Sequence, residues 1–112
     1  MQKRDFYIYQ EDLINYTMKE EPVTISKLVE DLNVKYCEND MKKLRPETIT
    51  NFLLKQGYLL MDENARKSPT PKGKFLGIVV GYISDKDGNK HLINLYNVRA
   101  QKYIMDNIYD MF

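Results

Sequence analysis

The chain has 112 residues, 43% of them hydrophobic and 29% charged, with a formal net charge of +1. That length suits a single domain, residues 1–112, with a core of its own, and the composition is too apolar for a disordered chain. One cysteine, Cys37, and one histidine, His91, exclude an internal disulfide and a three- or four-ligand metal site built from those residue types. No run approaches the roughly 20 apolar residues of a membrane span. Charged residues follow the start, Met1-Gln2-Lys3-Arg4-Asp5, so a secretory signal is not expected. These features lead us to expect a cytoplasmic protein with no membrane attachment, no metal and no cofactor.

Phe6, Tyr9, Leu13 and Tyr16 recur at spacings of three and four, which predicts a first helix over Asp5 to Lys19. Pro22 ends it, because proline disfavours helix in the residue before it. Thr24 then stands as the N-cap of a short helix whose apolar stripe is Ile25, Leu28, Val29 and Leu32. A long polar connection, Asn33 to Arg45, follows. Met41 and Leu44 either add a helical turn or precede a helix that begins at Pro46, and the second reading is preferred because proline suits the first helical position.

The helix Pro46–Gln56 is expected to place Ile49, Phe52 and Leu53 inward and Glu47, Thr48, Thr50, Asn51 and Lys55 outward. Gly57 suits the left-handed residue just past its end. Tyr58–Met61 reads as a strand, Asp62–Lys74 as a loop by composition, and residues 77–84 and 91–96 as two further strands. The Asp87-Gly88 pair between those strands marks a hairpin turn. Asn97 caps a last helix reaching about Tyr109.

Charge is unevenly distributed along the chain. Residues 1–40 hold five basic and nine acidic side chains, residues 41–74 eight and three, and residues 75–112 four of each. A basic middle segment of this kind is the electrostatic footprint expected of a phosphate-binding surface.

The run Ile49-Thr50-Asn51-Phe52-Leu53-Leu54-Lys55-Gln56-Gly57-Tyr58-Leu59 resembles the recognition helix and first wing strand of winged helix-turn-helix domains. Thr70-Pro71-Lys72-Gly73 resembles the Thr-x-x-Gly turn that follows the wing in several bacterial regulators and phage proteins. The resemblance implies an α+β fold: a winged helix-turn-helix with an N-terminal three-helix core, a β-hairpin wing and a C-terminal helix. It departs from the pattern in the length of the 33–45 connection. The hairpin 77–96 also follows the Thr-x-x-Gly turn, so it is either the wing or an addition to the core.

The resemblance further implies double-stranded DNA as partner. Thr48, Thr50, Asn51 and Lys55 would face the major groove, where Asn can read adenine and Lys or Thr reach base edges or phosphate. Lys42, Lys43 and Arg45 would contact phosphates near the helix start, and Arg66, Lys67, Lys72 and Lys74 the flanking backbone. Ile104, Met105, Ile108, Met111 and Phe112 either dock on the first helix or form a homodimer interface. A dimer would set two reading helices about 34 Å apart on one DNA face.

Other signals do not develop into chemistry. In Asp85-Lys86-Asp87-Gly88-Asn89 the glycine is fourth, not sixth, and Tyr96 stands where a calcium loop needs glutamate. Gly73-x-x-x-Gly77 precedes a strand, the wrong order for a phosphate loop. His91 and Cys37 have no sequence-near partner for catalysis. The expectation is therefore a small DNA-binding regulator of phage or mobile-element type, not an enzyme. The alternative is a protein-binding module of the same fold, acting as inhibitor or adaptor of another nucleic-acid enzyme.

Overall fold

A computed structural model of the protein describes residues 2–112. Its elements run α1 (Gln10–Ile14), α2 (Ile25–Tyr36), α3 (Pro46–Lys55), β1 (Leu59–Met61), β2 (Lys67–Pro69), α4 (Pro71–Leu76), β3 (Ile78–Ser84), β4 (Lys90–Tyr96) and α5 (Val98–Asp106). A 3-10 turn, Ile108–Met111, ends the order. The strands form two separate antiparallel hairpins, β1-β2 and β3-β4, so the architecture is mixed α+β.

The expected first helix is mostly extended chain, with only Gln10–Ile14 helical. Phe6 and Ile8 are buried while Tyr7 and Tyr9 are exposed, which is the period of a strand and not of a helix. Long-range bonds decide the matter. Arg4 donates its backbone N–H to Asp40 O at 2.8 Å and accepts from Lys42 N–H at 2.8 Å. Its guanidinium binds Glu38 at 2.6 Å and Asp40 at 2.7 Å, and holds the Asp40 carboxyl below its ordinary range.

The helix starts and stops of the middle segment fall where their cap residues stand. Thr24 Oγ1 accepts from Lys27 N–H at 3.1 Å, and Pro46 opens α3. Gly57 takes φ +84° just beyond α3, a conformation that glycine reaches without a Cβ clash. However, α2 extends to Tyr36, which shortens the connection to residues 37–45. Within that stretch Met41 and Leu44 are non-helical core plugs, 2% and 5% exposed. The Asn33 side chain brackets Leu44, accepting from its N–H at 2.8 Å and donating to its carbonyl at 3.1 Å.

The expected loop 62–74 is a turn only over residues 62–66; β2 and most of α4 follow within it. Asp62 organises the turn: Oδ1 accepts from the backbone N–H of Asn64 and Arg66, and Oδ2 from the Ser68 hydroxyl at 2.8 Å. The Thr-x-x-Gly segment is the start of α4, where Thr70 Oγ1 accepts from Gly73 N–H at 3.0 Å and donates to Gly57 O at 2.6 Å. α4 is thereby tied to the end of α3.

The second hairpin turns at Gly88, φ +82°. Asn97 then caps α5 by accepting from Ala100 N–H at 3.0 Å. One core joins all parts: Ile8, Leu32, Ile49, Leu53, Ile104 and Ile108 are fully buried. Gln101 is buried among them with its polar atoms satisfied. It accepts from Lys19 N–H and donates to the carbonyls of Lys19, Glu21 and Tyr96, which pins the segment before α2 to α5.

Candidate nucleic-acid interface

The exposed face of α3 is narrow. Glu47, Asn51 and Lys55 are exposed along it and Thr48 is half-buried at one flank. Thr50, expected to face outward, is only 8% exposed. It lies on the flank turned toward β2, and Lys67 Nζ donates to its hydroxyl at 2.7 Å. The same ammonium stands 3.3 Å from Asn51 Oδ1.

The expected phosphate-binding cations divide into two groups. Among the described residues Lys43, Arg45, Lys55 and Lys74 have no carboxylate partner, and Lys42 has only a distant one, Asp5 at 3.9 Å. An exposed pair of that length contributes little. The others hold the fold together. Arg66 donates to Ser68 Oγ at 2.6 Å and to Asn94 Oδ1 at 2.7 Å, and Asn94 in turn donates to Lys67 O at 2.8 Å. Lys72 donates to Gln56 O at 2.8 Å, with its ammonium 4.3 Å from the Tyr58 ring centroid, so it closes the end of α3.

The free cations are brought together beside α3. Lys3, Lys42, Lys43 and Arg45 line a groove of about 790 Å³ in which Asp5 is the one acidic side chain. At Thr48 this groove meets a second, of about 580 Å³, which runs past Asn51 to Lys55 and Gln56. The far wall of the second groove is the end of the chain: Tyr103, Asn107, Asp110 and Met111. Burial beside Tyr58 pushes the Tyr103 hydroxyl up to about 12, so that wall offers a neutral phenol and one carboxylate. Lys3 did not figure among the sequence-predicted residues, since it precedes the expected helix. Its signal was only its place in the cluster Lys3-Arg4. Lys74 stands apart on α4.

Of the residues considered for a dimer interface, Ile104, Met105 and Ile108 are 0%, 5% and 0% exposed and pack in the core of their own chain. Their surface reading is therefore corrected: they dock inward. Met111 and the exposed Phe112 line the rim of the basic groove. His91 Nε2 lies 2.9 Å from Asp85 Oδ2 at the exposed hairpin tip, and the half-buried Cys37 faces backbone carbonyls at 3.7 Å. Among the described residues no three His, Cys, Asp or Glu side chains gather into a metal-binding group, and no helix is long and apolar enough to cross a membrane.

No family model, no curated protein and no solved structure matches the chain.

Proposed function

We propose that the protein is a small winged helix-turn-helix DNA-binding regulator, of the kind carried by phages and mobile elements, that reads duplex DNA with α3. The observation that supports this most is the set of free cations, Lys43, Arg45 and Lys55, ranged along the groove beside the exposed face on which Asn51 stands. Lys3 and Lys42 extend the set past the start of the helix. Phosphate contacts from such a rim position a helix on the duplex, and Asn51 is the side chain suited to read a base edge. Hairpin β1-β2 follows α3 directly and takes the place of a wing, which makes β3-β4 an addition to that core.

The test is DNA retardation at two salt concentrations with wild type and the Lys42→Ala, Lys43→Ala, Arg45→Ala triple variant. Binding through this rim weakens steeply with salt, and the triple variant loses most of it. Unchanged affinity in the triple variant overturns the reading.

A second reading, a protein-binding module of the same fold, is favoured by the wall opposite Lys55. Tyr103, Asp110 and Met111 narrow the approach to α3 with an acid and apolar surface. A stoichiometric protein partner, with no DNA shift at low salt, would select it.

A further inference from the structure

β3 is a sheet edge without a backbone partner, with α4 and β2 packed close to it. Its seven residues pair only with β4, and among the described residues no backbone bond reaches its outer side. The ladder tells which groups point outward. Tyr96, which faces Ile78, gives its N–H to Val23 O at 2.7 Å and accepts from Val23 N–H at 3.1 Å. The Ile78–Tyr96 pair is therefore not hydrogen-bonded within the hairpin. In an antiparallel ladder such pairs recur at every second residue, so Val80 and Tyr82 also turn their backbone groups outward.

Natural sheets blunt a free edge with charge, proline or a bulge. β3 has neither charge nor proline, and its seven pairs with β4 run without a bulge. Val79, Val80, Tyr82 and Ile83 are all exposed, Tyr82 by 70%.

We propose that β3 pairs antiparallel with β3 of a second copy of this chain, about a twofold axis at Gly81, fusing two hairpins into one four-stranded sheet. Outward groups must meet outward groups, so Val80 and Tyr82 of one copy face Val80 or Tyr82 of the other. Among the registers this permits, the one centred on Gly81 pairs the whole of β3 with the whole of its mate. It sets Val80 against Tyr82 and Val79 against Ile83, which are apolar β-branched and aromatic pairs that favour each other across strands.

The same register brings the hairpin tip, where Asp85 is already bonded to His91 and to the backbone N–H of Asp87 and Asn89 while Asp87 stands exposed beside Lys86, level with the foot of the other copy's β3. There Lys74 is exposed and has no carboxylate partner among the described residues, which leaves it open to Asp87, and Phe75 is 80% exposed. The contact is isologous, so each feature is satisfied twice. None of the residues lining the basic grooves takes part, so the dimer and the DNA reading succeed or fail separately.

The test is sedimentation of the full chain over a concentration series, with Tyr82→Lys as the variant. Disulfide trapping of Gly81→Cys by oxidised glutathione, in a Cys37→Ser background, gives an independent readout. A Cβ at Gly81 would press on the flexible end of the Leu95 side chain at 3.1 Å and touch Ile93 Cγ2 at 4.0 Å, with no backbone atom in its way, so a small shift of Leu95 accommodates the variant. Wild type dimerises, and Tyr82→Lys, which puts a charge on the edge, weakens the dimer by about tenfold or more. Gly81→Cys forms a covalent dimer, because facing residues of a pair without hydrogen bonds have Cα atoms about 4.5 Å apart. Ser84→Cys, far from the axis, does not. A protein monomeric at every concentration, a dimer indifferent to Tyr82→Lys, or equal trapping at both positions overturns the proposal. Should Tyr82→Lys fail to fold, the two cysteine variants decide alone.

Discussion

Lys67 Nζ stands 2.7 Å from Thr50 Oγ1, so the first hairpin is bonded to the flank of α3 by a cation that composition alone would assign to DNA. Lys67→Met should lower stability by about 1 kcal/mol, the net worth of a hydrogen bond. It should leave the salt dependence of DNA binding as it was. Urea denaturation and DNA titration of the same variant separate the two effects.

Lys43, Arg45 and Lys55 should behave differently. Each change to alanine is expected to weaken binding to every duplex alike and to lower the slope of affinity against salt by about 1. Asn51→Ala should instead cost about 1–3 kcal/mol of discrimination between sequences. Anisotropy titrations with specific and scrambled duplexes at several salt concentrations measure both quantities. If Asn51→Ala leaves discrimination intact, α3 is not the reader.

Gly73 lies against the backbone at the end of α3, where an added Cβ would overlap the Tyr58 carbonyl oxygen. That oxygen is held by the N–H of Thr70 at 3.1 Å and has little room to yield. Gly73→Ala should therefore cost about 2 kcal/mol or more. Gly57→Ala meets open space but keeps a positive φ of +84°, and should cost about 1 kcal/mol. Thermal melts of the two variants should rank in that order.

Gln101 is fully buried and makes four hydrogen bonds, three of them to the backbone of Lys19 and Glu21. Gln101→Leu keeps the volume and removes every partner. A loss of about 2 kcal/mol is expected, because backbone groups are left unpaired. Amide exchange should show the chain around Lys19 opening before α2 does.

The Asp62 carboxyl is held below its ordinary 3.8, first by the Arg66 backbone N–H and then by the Ser68 hydroxyl. The unfolded chain therefore takes up this proton before the folded chain does. The stabilisation is fully present above pH 3.8 and is lost as pH falls through the lower folded value. Asp62→Asn should flatten that part of an acid titration, followed by denaturant midpoints from pH 5 down to pH 2 (about the range over which a paired carboxylate titrates).

The helix ends that were readable in this protein carry signals that act within a turn. Thr24, Pro46, Gly57 and Asn97 each stand where the structure starts or stops a helix. The first fifteen residues were not readable. Phe6, Tyr9, Leu13 and Tyr16 fit a helix by spacing, but Phe6 and Ile8 fit a strand equally well. The choice was made by Asp40 and Lys42, more than thirty residues away. The first hairpin escaped notice for a similar reason. Lys67-Ser68-Pro69 has no strand-like composition, and its register rests on Asp62, Arg66 and Asn94 side chains.

Sequence by itself determined the mixed α+β class of the chain, the N-caps of α2 and α5, the start and stop of α3, the hairpin turn at Gly88 and a basic middle segment. Tertiary structure alone decided which of those cations remain free. Lys67, Lys72 and Arg66 are drawn into bonds with Thr50, Gln56 and Asn94, while Lys43, Arg45 and Lys55 face open grooves. The physical reason is range. Caps and turns are set by neighbours within about four residues, whereas a cation's partner is set by whichever element the fold brings beside it.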